Sequence, residues 1–472
     1  MSHFTPRPYQ HLIRNFALNH ERCNIFASPG MGKTSACIDI FDTRRMFGEA
    51  TRALVLAPKR VAQSAWPDEV VKWKESFGHL KIAAAVGDAD KRLAALRSGA
   101  DIICTNYENI PWLMEQYGDH WPFDTVIADE STRLAGLRIS MQTSKTGKKF
   151  IVGQGASRAK ALAQIAHTQV RHWINATGSP APNGIVSVWG QQWFVDGGQR
   201  LGNSFSAFSD RWFRAVPGGD GYSQIEPMPH SQAEVEKLLA QTSITIEAKD
   251  WFPLKDVIER QVMIDLPPKA RQQYREMQKE LFTWVNEHPL EAFNAGAKSQ
   301  KCLQLASGSV IVGDKGEWSA VHDEKIEALR SIKEETNGEC LLVAYQFKAD
   351  LERILKAFPK ARHLDDKPRT LKEWNDGKIP MLVTHPASAG HGLSLQHGGR
   401  ILVDYSSGFN LEYDEQIIER LGPTRQLQSG YDRSVFRYRI VARDTIEQTS
   451  VLPRLKHKAS VQDSLKAAMK IS

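Results

Sequence analysis

The sequence predicts an α/β protein with two doubly wound, mostly parallel sheets on either side of a region of different character. Three observations predict it. Short apolar runs alternate with longer helical patterns through the first 180 residues, and the same alternation returns after residue 340. Between them lies a stretch rich in Trp, Phe, Gln and Gly that fits neither sheet. Strand–helix alternation points to parallel pairing, because a parallel connection needs a crossover and a helix usually provides it.

Taken in order, residues 23–27, 53–57, 82–86, 101–105, 125–128 and 172–176 read as strands, with helices over 34–46, 61–76 and 159–169. Residues 138–157 carry Lys145, Lys148 and Lys149 among several Gly and Ser and read as a basic surface hairpin or loop. The middle region has a loop-like run at 216–221 and helices at 231–241 and 269–288. Residues 341–345, 379–384 and 401–404 then read as strands, with helices over 348–357 and 412–421. The expected division is a first lobe over 1–183, a helical insertion and linker over 184–260, and a second lobe over 261–472 with its own helical insertion at about 269–321.

Composition sets outer bounds. The 472 residues suit two to four domains at ~100–200 residues each. Apolar residues make up 41 % and charged residues 24 %, ordinary globular usage that excludes a wholly disordered, collagenous or fibrous chain. A net charge of +7 permits a polyanionic partner without requiring one. No apolar run reaches the ~20 residues of a membrane span. The first residues, Met1-Ser2-His3-Phe4-Thr5-Pro6, lack the basic region and apolar core of a secretory signal. The five cysteines (Cys23, Cys37, Cys104, Cys302, Cys340) are scattered, with no CxxC pair, so neither a zinc knuckle nor a disulfide framework is expected. Free thiols in a reducing cytoplasm are the expectation.

The sharpest chemical signal is Ala27-Ser28-Pro29-Gly30-Met31-Gly32-Lys33-Thr34, between an apolar strand and a helical pattern. Such a loop turns backbone N–H groups and a helix N-terminus toward phosphate oxygens. Gly30 and Gly32 permit close approach, Lys33 is placed to reach the β/γ-phosphates, and the Thr34 hydroxyl to ligate magnesium. Ser28 and Met31 complete the phosphate-binding loop. The strict pattern has glycine where Ala27 stands. A P-loop needs an acidic partner on a neighbouring strand, and 123–130 ends in Asp129-Glu130 at the carboxyl edge of a sheet. Asp129 is the expected magnesium ligand and Glu130 the group that polarises the attacking water.

P-loop plus Asp129-Glu130-Ser131-Thr132 resembles the DEAD/DEAH-like helicases of superfamily 2, and further motifs follow in that family's order. Arg7-Pro8-Tyr9-Gln10 resembles the Q motif, which puts Gln10 on adenine. Leu56-Ala57-Pro58-Lys59-Arg60-Val61 with Trp66 resembles motif Ia, and Thr105-Asn106-Tyr107-Glu108 motif Ib. Ala176-Thr177-Gly178-Ser179-Pro180-Ala181-Pro182-Asn183 resembles motif III, with Thr177 and Ser179 in the coupling role. That version of motif III, with Leu266-Pro267-Pro268-Lys269 and Tyr274, resembles the Swi/Snf-type branch of duplex-DNA translocases. Leu342-Val343-Ala344-Tyr345-Gln346-Phe347 resembles motif IV, and Ser388-Ala389-Gly390-His391-Gly392-Leu393-Ser394-Leu395 motif V. Asp404 to Asn410 resembles the family's Asp…Trp-Asn stretch, with Phe409 in place of tryptophan. Gln416, Arg420 and Arg425 resemble motif VI, followed by Arg443-Asp444-Thr445-Ile446-Glu447. The match covers nearly the whole chain, in a compact form like those of phages and bacteria.

The resemblance implies two RecA-like lobes with a helical insertion between them, ATP and Mg2+ as cofactors, and DNA as partner. It assigns Lys59, Arg60, Thr105 and Asn106 of one lobe, and Thr384, Ser388 and Gly390 of the other, to nucleic-acid phosphates. The family has two motif VI arginines three apart. Here Pro423 stands at that spacing and Leu421-Gly422-Pro423-Thr424 breaks the helix. Arg425 is favoured as the finger and Arg420 as the γ-phosphate sensor, with Arg433 or Arg437 next in line. The implied function is ATP-driven movement along duplex DNA in the cytoplasm. A strand-separating helicase and a non-motor DNA-binding switch stay open. Other features have plainer readings: Trp189, Trp193, Trp212 and Trp251 as core, and His385, His391 and His397 as loop residues without ligand spacing.

Overall fold

The computed structural model describes residues 3–118, 120–143, 149–155, 157–217, 223–287, 292–312, 317–365, 367–389 and 393–470. The chain divides into two compact units. One comprises Met1–Arg214, Glu226–Phe252 and Ser460–Ser472, and the other Ala215–Ile225 and Pro253–Ala459.

The first unit holds a seven-stranded sheet in the order Ser243–Ile246, Arg22–Ala27, His172–Thr177, Thr125–Asp129, Ala53–Ala57, Ile102–Asn106, Ile82–Ala84, with every neighbouring pair parallel. The strands at its centre are buried along their whole length, as a sheet covered on both faces requires. Leu54 and Leu56 share one core with Val126, Ala128 and Ile103, successive inward positions of a period-two strand. Trp173 stacks on Phe194 at 4.8 Å between ring centroids and anchors the helix Val188–Asp196 to that face.

The second unit has six parallel strands in the order Ile258–Ile264, Phe436–Ala442, Ile401–Asp404, Leu341–Ala344, Met381–Thr384, Arg362–His363. Its two faces bury separate cores. Leu341, Val343, Met381 and Val383 pack on one side with Leu329 and Tyr274, while Leu342, Ala344, Leu382 and Leu402 pack on the other with Trp374 and Leu421.

The α/β class and both parallel sheets agree with the sequence. The boundaries do not. Residues 184–214 and 226–252 are part of the first unit rather than an insertion, because Trp189, Trp193, Phe208 and Trp212 complete its core and Ser243–Ile246 forms its edge strand. Residues 460–472 join it too, with Leu465 and Met469 in the same core. The second unit takes in residues from Pro253, and 269–321 forms the helices Pro268–Glu287 and Ala292–Ser307 and the hairpin Ser309–Val312/Glu317–Ala320. The basic stretch is an antiparallel hairpin, Leu137–Thr143 with Lys149–Gly155; Lys145 and Lys148 lie outside the described residues.

Candidate active site

In the first unit, strand Arg22–Ala27 runs into the glycine loop, and helix Lys33–Met46 begins with Gly32 as its cap. Gly30 and Gly32 have φ of 82° and 64°, left-handed values that glycine adopts without strain. A Cβ at Gly32 would stand 2.5 Å from Gln10 Nε2, so this backbone is closely covered. Gln10 is buried: its amide donates to Gly32 O at 3.1 Å and to Ser35 Oγ at 3.2 Å, and its oxygen accepts from Arg7 N at 2.9 Å. Gln10 therefore braces the loop, and its amide donors are committed there rather than held open for a base. Lys33 Nζ donates to Ala27 O at 2.7 Å, Ser28 Oγ accepts from Ala248 N at 3.3 Å, and Met31 is buried. Thr34 sits half-buried in the first helical turn.

Strand Thr125–Asp129 delivers the carboxylates. Asp129 is buried, with Trp66 Nε1 donating to Oδ2 at 3.0 Å and Tyr107 OH donating to its carbonyl at 2.9 Å. Burial, and then the charge of Glu130, push its carboxyl up to about 6, while the Trp66 hydrogen bond and Lys33 pull the other way. Glu130 has φ of 58°, rare for a residue with a side chain and a conformation its surroundings must hold. Thr177 Oγ1 donates to Glu130 Oε2 at 3.2 Å and accepts from Ser179 N at 3.1 Å. At Gly178 a Cβ would lie 3.2 Å from Pro29 Cδ, so this segment packs on the P-loop itself.

The donor set fits a magnesium nucleotide. A hard cation takes oxygen ligands, and a Thr34 hydroxyl with a carboxylate as basic as Asp129 supplies them beside an uncovered glycine at Gly30. Among the described residues no three His, Cys, Asp or Glu cluster as a separate metal site.

In the second unit, helix Leu411–Glu419 ends before Arg420, and Gly422 caps a new helix, Pro423–Gln428, as the Pro423 break predicts. Arg420 is buried, its Nη1 3.5 Å from Leu393 O. Arg425 Nη1 lies 3.3 Å from Ser394 Oγ, and burial lowers the proton affinity of its guanidinium. Arg433 is tied to Gln426 Oε1 and Gln396 O. Arg437 is tied to Asp404 at 2.6 Å and Asp414 at 2.6 Å, which leaves neither well placed as a spare finger.

The expected phosphate contacts divide. Lys59 and Ser388 are exposed and Arg60 is half-buried. Thr105 is fully buried, donating to Ala85 O at 2.7 Å and accepting from Asn109, and Asn106 donates to Glu108 at 2.8 Å. Thr384 is fully buried, its hydroxyl on His385 O at 3.2 Å. Thr105 and Thr384 thus shape loops instead of offering hydroxyls to a ligand. Gly390 and His391 lie outside the described residues. Trp189, Trp193 and Trp212 are core as expected, whereas Trp251 is 38 % exposed and meets Tyr9 edge-on. Sequence reasoning placed Tyr107 in motif Ib without a role of its own and gave no part to Gln191, although the Tyr107 hydroxyl donates to Asp129 O and the Gln191 amide accepts from Ser131 Oγ.

Fold and site together define a P-loop α/β protein with two parallel-sheet units. No protein-family model matches the chain. It is 47 % identical over 473 residues to protein p41 of Acyrthosiphon pisum secondary endosymbiont phage 1, with all of both chains covered. The chain belongs to the family of that phage protein. Among solved structures it is similar to the Sulfolobus solfataricus SWI2/SNF2 ATPase core in complex with dsDNA, at 17 % identity and a TM-score of 0.44, covering 99 % of this chain and 94 % of that one.

Proposed function

We propose that the protein is an ATPase of the Swi/Snf type that couples hydrolysis to movement along duplex DNA. The observation that carries the ATPase reading is one connected assembly within the first unit. Gln10 braces the P-loop, Asp129 and Glu130 end the strand of a parallel sheet, and Thr177 holds Glu130 from a segment packed on Pro29. The motifs resembling those of superfamily 2, in their order, support the motor reading. Thr34 and Asp129 would hold magnesium, which would supply charge neutralisation at the phosphates. Lys33 exchanges its contact with Ala27 O for phosphate oxygens, and Glu130 polarises the attacking water. Arg420 and Arg425 add positive charge to the γ-phosphate in the transition state. Lys59, Arg60 and Ser388 give sequence-independent contacts to DNA phosphates.

A second reading, strand separation, is favoured by the hairpin Leu137–Thr143/Lys149–Gly155, an element long enough to act as a wedge. Steady-state ATPase with no nucleic acid, single-stranded DNA, duplex DNA and duplex RNA tests the proposal. Duplex DNA is expected to stimulate most. Equal turnover in all four conditions, or none, contradicts it.

A further inference from the structure

We propose that Gln191 is a positioning residue that locks the turn after Asp129-Glu130 to the Thr177–Pro180 segment; this rests on the ATPase reading above. Gln191 lies on helix Val188–Asp196 and is 2 % exposed. Its Oε1 accepts from Ser131 Oγ at 2.7 Å, and its Nε2 donates to Pro180 O at 2.8 Å and Ser187 O at 3.1 Å. One amide thus holds the residue after Glu130 and the residue after Ser179. Thr177 closes the circuit from the other side, bonding to the Glu130 carboxylate and to Ser179 N.

The circuit encloses the backbone that most needs holding. Glu130 keeps a left-handed φ of 58°, a state that persists when neighbours over-determine it. The helix approaches this turn as closely as backbone allows, because a Cβ at Gly190 would stand 2.6 Å from Leu134 O and 3.1 Å from Ala135 O. Gly190 permits the approach and Gln191 fastens it. A glutamine suits the place because a single planar amide presents an acceptor and two donors, and all three are used. Apolar replacement leaves Ser131 Oγ and Pro180 O buried without this partner, which frees the turn to relax. Moving a water-activating carboxylate by a fraction of an ångström costs turnover more than binding.

The test compares the full-length chain with Gln191→Leu, Ser131→Ala and Gln192→Leu. Gln192 is the control: it is equally buried on the same helix, but its amide serves Asn24 and Asp196, away from the turn. Gln191→Leu is expected to lower kcat by about tenfold or more with KM and nucleotide Kd within about twofold. Ser131→Ala, which removes one hydrogen bond only, shifts kcat the same way by less. Gln192→Leu lowers the unfolding midpoint without lowering kcat. Amide hydrogen exchange gives a readout independent of turnover: Arg133, Ala135 and Ser179 exchange faster in Gln191→Leu and unchanged in Gln192→Leu. Should the unaltered chain hydrolyse no ATP under any condition, the ATPase reading falls, and exchange alone decides the lock. Unchanged exchange at these amides, or a kcat loss matched in Gln192→Leu, overturns the proposal.

Discussion

The two units use buried polar chemistry for opposite ends. In the first, hydrogen bonds converge on one place: Gln10 on Gly32, Trp66 on Asp129, Thr177 on Glu130 and Gln191 on Ser131. In the second, the strongest charges hold the sheet together. Arg437 and Arg439 bind Asp404 and Asp414, and the fully buried Lys325 reaches Glu447 at 2.6 Å and the carbonyls of Tyr405 and Ile440. Burial pushes the Asp414 carboxyl up, yet Arg437 and Arg439 override it and hold it down to about 2. The difference teaches that a buried charge by itself does not mark a reactive site. Asp129 is raised by burial, has no direct ion pair among the described residues and sits beside the glycine loop, whereas Asp414 is saturated by two guanidinium groups.

Breaking the first unit's site gives the largest expected effect. If Glu130 activates water as proposed, Glu130→Gln is expected to retain ATP binding while turnover is lost. Turnover within a few-fold of the unaltered chain contradicts that role. Lys33→Ala acts differently and weakens nucleotide binding itself, read as a raised Kd.

The arginines of the second unit carry the next largest expected effect. Arg425→Ala is expected to lower kcat by ~10³-fold or more while DNA affinity holds, because a finger contact is strongest in the transition state. Arg420→Ala is expected to raise nucleotide Kd more than it lowers kcat. Normal hydrolysis on DNA in both variants removes the motif VI assignment.

Stability separates the units next. Asp414→Asn leaves Arg437 and Arg439 under-neutralised in the sheet and is expected to cost about 3–5 kcal/mol. Native-state hydrogen exchange reads this by unit: protection falls in Ile401–Asp404 and Phe436–Ala442 and holds in Thr125–Asp129. Equal loss in both contradicts the local role of the cluster.

The smallest expected effect is one the units share. Burial pushes His167 in the first and His322 in the second down to about 4. The unfolded chain takes up these protons near pH ~6.5, so the stability from keeping them neutral is present above that pH. It is lost as pH falls from ~6.5 through about 4. Unfolding midpoints of His167→Gln and His322→Gln are each expected to fall less steeply over that window than those of the unaltered chain.

Legibility in the sequence followed the same division. Both sheets were readable where strands are apolar on both faces, as in Ala53–Ala57 and Leu341–Ala344. Ile258–Ile264 and Phe436–Ala442 escaped because Glu259, Arg437 and Arg439 interrupt the apolar pattern, and they are strands because those charges pair across the sheet. The glycine loop and Asp129-Glu130 were legible as a strand–turn–helix and a strand end because apolar strands flank both, and the structure places them there. The hydroxyls of Thr105 and Thr384, assigned to phosphates by resemblance, bond to Ala85 O and His385 O, since a motif does not say which way a hydroxyl points. Gln191 carried no motif signal; its role is visible only once Ser131 and Pro180 stand on either side of it.

Displacement of a third strand from a triplex on duplex DNA measures ATP-driven movement directly. The displacement expected requires ATP, leaves the underlying duplex intact and vanishes in Glu130→Gln. ATP hydrolysis stimulated by duplex DNA with no displacement, or displacement only together with duplex separation, would contradict movement along the duplex as the protein's function.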